Sequence, residues 1–123
     1  MGHHKSVVRR KDRRRNRSKK TSFAHPSRNR LVIQRSLKHF EAQVIDDFIG
    51  HTIFSASSKC KDFKPLLKNI KSKTDLSKKV GEALALKAKE MKIKSVVLDR
   101  NGYPYHGRVK AFVESVRKNG LNL

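Results

Sequence analysis

The sequence has a single cysteine, Cys60, and no tryptophan. One cysteine permits no internal disulfide, which excludes a disulfide-stapled scaffold and fits a reducing compartment. Long apolar runs are missing too, and none approaches the length a bilayer span requires. The N-terminus lacks the apolar segment of a secretory signal, so the expectation is a cytosolic protein. The six histidines show no ligand spacing with one another or with Cys60, so no metal is expected. Acidic residues are scarce: 10 Asp and Glu stand against 31 Lys and Arg, a formal net charge of +21. A sequence this basic carries the electrostatic footprint of a nucleic-acid binder. Hydrophobic residues make up 36% of the 123. That is enough for one domain, with part of the chain outside the core.

The part outside is the N-terminus. Residues 1 to about 22 carry Lys5, Arg9, Arg10, Lys11, Arg13, Arg14, Arg15, Arg17, Lys19 and Lys20 against one acid, Asp12. Such a segment buries too little surface to offset chain entropy, and is expected to be disordered or a transient helix when free. Arginine-rich segments of this type fold on binding RNA. A linker ending in His25-Pro26-Ser27 follows. The division expected is a basic arm with its linker over 1–27 and a globular domain over 28–123.

The domain reads as βββαβα. Leu31 and Ile33 share one face of a first strand, with Gln34 and Ser36 on the other. Phe40, Ala42 and Val44 point inward on a second strand, and Phe54 and Ala56 on a third. Asp46-Asp47-Phe48-Ile49-Gly50 joins these two as a hairpin loop. The three strands form a meander with one apolar face and one polar face free of carboxylate-rich patterning. In the Lys59 to Lys73 connection, Phe63, Leu66, Leu67 and Ile70 suggest a short amphipathic turn. A long helix is expected from a Thr74-Asp75 cap, with Leu76, Val80, Ala83, Leu84, Ala88 and Met91 as its buried stripe. Val96-Val97-Leu98 is a continuous apolar run, the pattern of a parallel strand covered on both faces. A last helix spans about Arg108 to Lys118, with Gly120 as a left-handed C-cap. The fold class expected is mixed α/β: an antiparallel three-stranded meander, one parallel strand, and two helices on the apolar face.

Between the fourth strand and the last helix lies DRNGYPYHGR, Asp99 to Arg108, which holds both tyrosines of the chain. Asn101-Gly102 is a turn dipeptide. The loop ends at a helix N-terminus, where unpaired backbone N–H groups and the positive dipole end favour phosphate. Arg100, Tyr103, Tyr105, His106, Gly107 and Arg108 are the strongest candidates for RNA contact: cations for phosphate, aromatics for stacking on unpaired bases, glycine for close approach. Arg35, Lys38 and His39 at the first strand turn extend that footprint. His51, Ser55 and Ser57 on the polar face are weaker candidates.

Three stretches, GHTIFSAS after VIDD, KKVGEALA on the long helix and DRNGYPYHGRVKAF, resemble the bacterial family of ribosomal protein eighteen of the large subunit. The resemblance runs from Leu31 to the C-terminus and includes the basic arm. The 59–73 connection is longer and more basic than the family pattern. The resemblance implies a mixed sheet with two helices and no enzymatic activity or cofactor. It also implies binding to 5S rRNA, attachment of that RNA to the large-subunit rRNA in the central protuberance, neighbouring ribosomal proteins as partners, and a cytoplasmic location in the large subunit.

Two other classes compete on the residues alone. A metal-dependent nuclease would use Asp46, Asp47 and Asp99, all at strand ends, to hold cations. Against it, Asp beside a Gly-containing turn is favoured for local hydrogen bonding, and Asp99 has a structural role open to it, capping its loop or pairing with Arg100 or Arg108. A charge-only binder of polyanions or membrane surfaces would need the arm but not Tyr103 and Tyr105.

Overall fold

The structure is a computed structural model and describes residues 2–18, 27–61, 65, 68 and 70–123. Its elements in chain order are α1 (Gly2–Ser18), β1 (Asn29–Arg35), β2 (Phe40–Asp46), β3 (His51–Ser57), α2 (Lys73–Glu90), β4 (Val96–Asp99) and α3 (Arg108–Lys118). After the arm the order is βββαβα, as the hydrophobic periodicity requires. One four-stranded sheet has the order β3-β2-β1-β4. β1 pairs with β2, and β2 with β3, antiparallel; β4 adds to the free edge of β1 in parallel, Leu31 opposite Leu98.

Alternation decides which face is buried. Leu31, Ile33, Phe40, Ala42, Val44 and Ala56 point into the core, while Gln34, Gln43 and Ser55 are exposed on the other face. Both domain helices cover the apolar face. α2 lies over β2 and β3, and the Phe112 ring of α3 packs on Phe40 with centroids 5.0 Å apart. Val80, Leu84 and Ala88 of α2 and Val109, Val113 and Val116 of α3 complete the core.

The helices approach closely at Gly81, where an added Cβ would stand 2.9 Å from the carbonyl oxygen of Phe112. Ser115 Oγ donates to Lys78 O across the same contact at 2.8 Å. That close approach turns the buried face of α2 toward Ser77, Gly81 and Ala85. Met91, assigned to the stripe by spacing, is instead 52% exposed. The cap also differs from expectation: Ser72, not Thr74 or Asp75, stands at the N-cap, and its side chain accepts from the N–H groups of both. Spacing alone does not separate adjacent cap-type residues, because all three can accept from the first turn.

Gly120, at φ 101°, ends α3 in the left-handed region as expected. The chain then turns back, burying Leu121. Asn122 lies beside Ser95 in a parallel bridge, donating to Lys94 O and accepting from Val96 N, both at 2.9 Å. Of the amphipathic turn expected in the 59–73 connection, Phe63, Leu66 and Leu67 lie outside the described residues. The arm from Gly2 to Ser18 is a continuous helix, the ordered form of the segment expected to be disordered or transiently helical when free.

Candidate nucleic-acid interface

Strand β1 and strand β4 run in parallel, so their C-terminal ends point the same way. That topology brings the β1–β2 turn and the 99–108 loop together, although they are about 65 residues apart in sequence by the numbering of Arg35 and Arg100. Three contacts join them. The Arg35 guanidinium lies over the Tyr103 ring, 4.9 Å from its centroid. Tyr103 Oη donates to Arg35 O at 3.4 Å. Arg108 Nη1 donates to Ser36 O at 2.9 Å. His39 is fixed nearby, its Nδ1 3.0 Å from Ser58 Oγ, which also accepts from Phe40 N.

The loop is built from local turn chemistry. Asn101 and Gly102 both have positive φ, 53° and 82°, and Tyr103 N donates to Arg100 O at 3.0 Å. This is the mirror-image turn that Asn-Gly favours. Asp99 holds its start: Oδ1 accepts from Asn101 N at 2.9 Å. Gly107, with φ 62° and ψ −122°, stands at the N-cap of α3, where no side chain caps the first turn. The first-turn N–H groups are thereby left for an anion. Tyr105, His106 and Gly107 are exposed, and Tyr105 Oη accepts from Arg117 Nη1 at 3.5 Å.

The arm helix adds the third part. An added Cβ on Gly102 would lie 3.1 Å from the backbone nitrogen of Arg15, so the loop tip touches the α1 backbone itself. A cleft of about 540 Å³ runs between them, lined by Arg14, Arg17, Leu98, Arg100, Gly102, Tyr103 and Pro104. Lys11 and Arg15 line an adjoining cleft against Arg35 and Asn101. Lys11, Arg14 and Arg15 are three and four apart on the face of α1 that meets the loop, with Asp12 and Arg17 at its edges. Arg9 and Arg13 fall on the opposite face and are exposed, as is Arg10. Arg13 Nε donates weakly to Arg9 O at 3.4 Å. Lys38 is exposed on the β1–β2 turn. Lys19 and Lys20 lie outside the described residues.

Sequence reading misses the residue that ties this end of the fold to the rest. Arg30 donates to Asp47 through Nε and Nη2, both at 2.9 Å, and to Asp99 through Nη1 at 2.7 Å. Asp99 is 2% exposed, and its partner is Arg30, neither Arg100 nor Arg108. Its hydrogen bonds to Asp47, and then the one to Asp99, hold the Arg30 guanidinium above its ordinary pKa while burial pulls it the other way. No local signal marks this pairing, because Arg30 and Asp99 meet only once β1 and β4 are side by side. The same geometry removes the nuclease reading. The guanidinium occupies the space between Asp47 and Asp99, and Asp46 Oδ1 accepts from Phe48 N within its turn. Among the described residues no group of three or more His, Cys, Asp or Glu is placed to hold a metal ion.

Residues 5–123 match the family described as ribosomal L18 of archaea, bacteria, mitochondria and chloroplast. The chain belongs to the ribosomal L18 family. It is 50% identical over 117 residues to the large ribosomal subunit protein uL18 of Staphylococcus haemolyticus, covering 95% of this chain and 93% of that one. It is 44% identical over 123 residues to the protein of the same name from Caldicellulosiruptor saccharolyticus, covering 98% of both. With that of Aquifex aeolicus it shares 47% over 114 residues, 89% of each. As an L18 protein the chain is a structural component of the large ribosomal subunit in the bacterial cytoplasm, in a family of ribosomal structural proteins rather than enzymes.

Proposed function

We propose that this L18 chain binds 5S rRNA and helps attach it to the large-subunit rRNA in the central protuberance, through one continuous surface made of α1, the β1–β2 turn and the 99–108 loop. The observation that carries this reading is the contact of Gly102 with the Arg15 backbone, which joins the basic arm to the aromatic loop. The division of labour follows from the chemistry. Arg9, Arg10, Arg13, Arg14, Arg15, Arg17, Lys19, Lys20 and Lys38 neutralise phosphates and release counterions. Arg100 and Arg108, with the uncapped first turn of α3, take phosphates at fixed positions. Tyr105 and His106 stack on unpaired bases. Tyr103 has one ring face occupied by Arg35, so it serves chiefly to hold the β1–β2 turn and the loop together and presents Arg35 and His39 beside them. Arm disorder in the free chain, with the helix fixed by RNA, fits the scarcity of apolar residues, Val7 and Val8, that could hold it alone.

The test is a set of binding isotherms for 5S rRNA and an unrelated RNA at several salt concentrations, with nucleotide footprints on the whole large-subunit RNA. Protection confined to 5S rRNA and its junction with the large rRNA is the expected result. Equal affinity for both RNAs at every salt would reduce the protein to a charge-only binder.

A further inference from the structure

The positive charge of this chain stops abruptly at one place. No lysine or arginine occurs between Lys38 and Lys59, so the β2–β3 hairpin has only His51, opposite Asp46, as a basic side chain of its own, while it carries Asp46 and Asp47 at its tip and Glu41, paired with Lys59, at its far end. Among the described residues the cation bound at its tip is Arg30, whose donors go to Asp47 and Asp99. That guanidinium is shared with the buried Asp99 of the loop, so Asp46 and Asp47 leave this tip anionic within a chain of net charge +21.

At that tip Phe48 is 97% exposed and Ile49 68% exposed. Single exposed apolar residues need no explanation. These two are adjacent, and the turn carrying them is tied on both sides: Asp46 accepts from Phe48 N at 3.0 Å, and Asp47 is held by two bonds from Arg30. Gly50, at φ 67°, closes the turn in a conformation that favours glycine. A register shift between Val44 and Ile45 lies just below, the kind of irregularity that twists a strand end and re-aims what it carries. The anchors are therefore presented already ordered, which lowers the entropy lost on docking.

The tip and the bulk of the basic surface lie toward opposite ends of β1, with the Arg30 bridge to Asp99 between them. Arg30 sits opposite Ile45 at the tip end of β1, and Arg35 opposite Phe40 at the other end, where the loop and α1 gather. RNA is a poor occupant, because phosphates would meet the carboxylates. A second copy brings another net charge of +21 with it, so self-association works against long-range repulsion. A different, basic protein suits both features. Apolar anchors fill a pocket, and opposite charges at the rim guide the approach. We propose that the hairpin tip Asp46–Gly50 is a docking site for a second, basic protein of the large subunit, which takes Phe48 and Ile49 into an apolar pocket rimmed by lysine or arginine. The proposal rests on membership in the ribosome and not on the 5S rRNA reading.

A photoreactive benzoylphenylalanine placed at position 48 of the full chain, and separately at position 105, tests it in purified large subunits. Irradiation should join position 48 to another ribosomal protein, at a peptide in which mass spectrometry finds apolar residues beside lysine or arginine. Position 105 should join rRNA. A position-48 adduct with rRNA, with a second copy of this chain or with an acidic segment overturns the proposal. So does the absence of any adduct in subunits that contain the chain. Failure at position 105 alone would overturn the RNA reading and leave the tip untouched. As an independent check, Phe48→Ser combined with Ile49→Ser should leave the melting midpoint and 5S rRNA affinity unchanged within about twofold, since both side chains face solvent. The same variant should lower retention of the crosslinked protein on the order of tenfold at limiting concentration. Unchanged retention also overturns the proposal.

Discussion

Helix α1 and the 99–108 loop are both rich in cations and touch each other, yet they are held by different physics. The loop is pinned at each end. Asp99 is buried under Arg30, Asn101-Gly102 closes a tight turn, Tyr103 and Arg108 donate to the β1–β2 turn, and α3 begins at Gly107. α1 has almost no apolar face, and Val8 is 42% exposed. A helix of this kind gains little from burial and repels itself along its length. The loop can therefore demand a particular RNA shape, while the arm supplies charge that adapts to whatever lies beneath it. Positive charge in itself does not make a recognition site; positive charge on a fixed backbone does.

The largest effect that would expose this difference is on stability. Arg30→Met leaves the carboxylate of Asp99 buried without its cation, which should cost about 3 kcal/mol or more in chemical denaturation. Deleting residues 2–18 should shift the same transition by less than about 0.5 kcal/mol. If the deletion costs as much as the Arg30 change, α1 is part of the folded domain and the contrast is lost.

Next in size is RNA affinity through the loop. Tyr105→Ala should weaken binding to 5S rRNA by about 1–3 kcal/mol, the value of one base–aromatic stack, with little change for an unrelated RNA. Tyr105 is the cleaner probe of the two tyrosines, because Tyr103→Ala also removes the ring beneath Arg35. Binding isotherms that leave the Tyr105 variant level with the parent would make the loop a purely structural feature.

A smaller effect is expected from the arm. Arg13, Arg14 and Arg15 replaced together by Ala should lower affinity for both RNAs by similar factors, and reduce the salt slope by up to about 2. A loss confined to 5S rRNA would show that α1 reads shape as the loop does.

The smallest concerns the contact between the two. Gly102→Ala forces a side chain into φ 82° and against the Arg15 backbone, so it should cost about 1 kcal/mol and release α1. Amide exchange in residues 2–18 should rise in the 5S rRNA complex. Unaltered exchange would mean that the loop does not hold α1 in the complex.

Much of this was legible in the sequence, for reasons tied to short-range periodicity. Alternation in LVIQRS and FEAQVI assigned faces to β1 and β2 correctly, because a strand side chain can point only one way or the other. Asn101-Gly102 marked its turn, since few residues tolerate two consecutive positive φ angles. Gly120 marked the end of α3 on the same ground. The stripe on α2 was less legible. Leu76, Ala83 and Met91 fit a spacing of three and four as well as Ser77, Gly81 and Ala85 do. The choice between the two sets fell to α3, whose backbone comes close enough at Gly81 to exclude a Cβ.

By itself, then, the amino-acid order determined the strands and their buried faces, the two domain helices, the basic arm and the loop that carries the aromatics. Those follow from local sterics and from the free energy of burying apolar surface, which neighbouring residues already encode. Only the tertiary structure decided that Arg30 lies between Asp47 and Asp99, that Arg35 covers Tyr103, and that the hairpin tip stands apart from the basic end. Each of these depends on the parallel pairing of β1 with β4. Residues distant in sequence become neighbours there, and only there does a carboxylate learn which arginine it will be buried against.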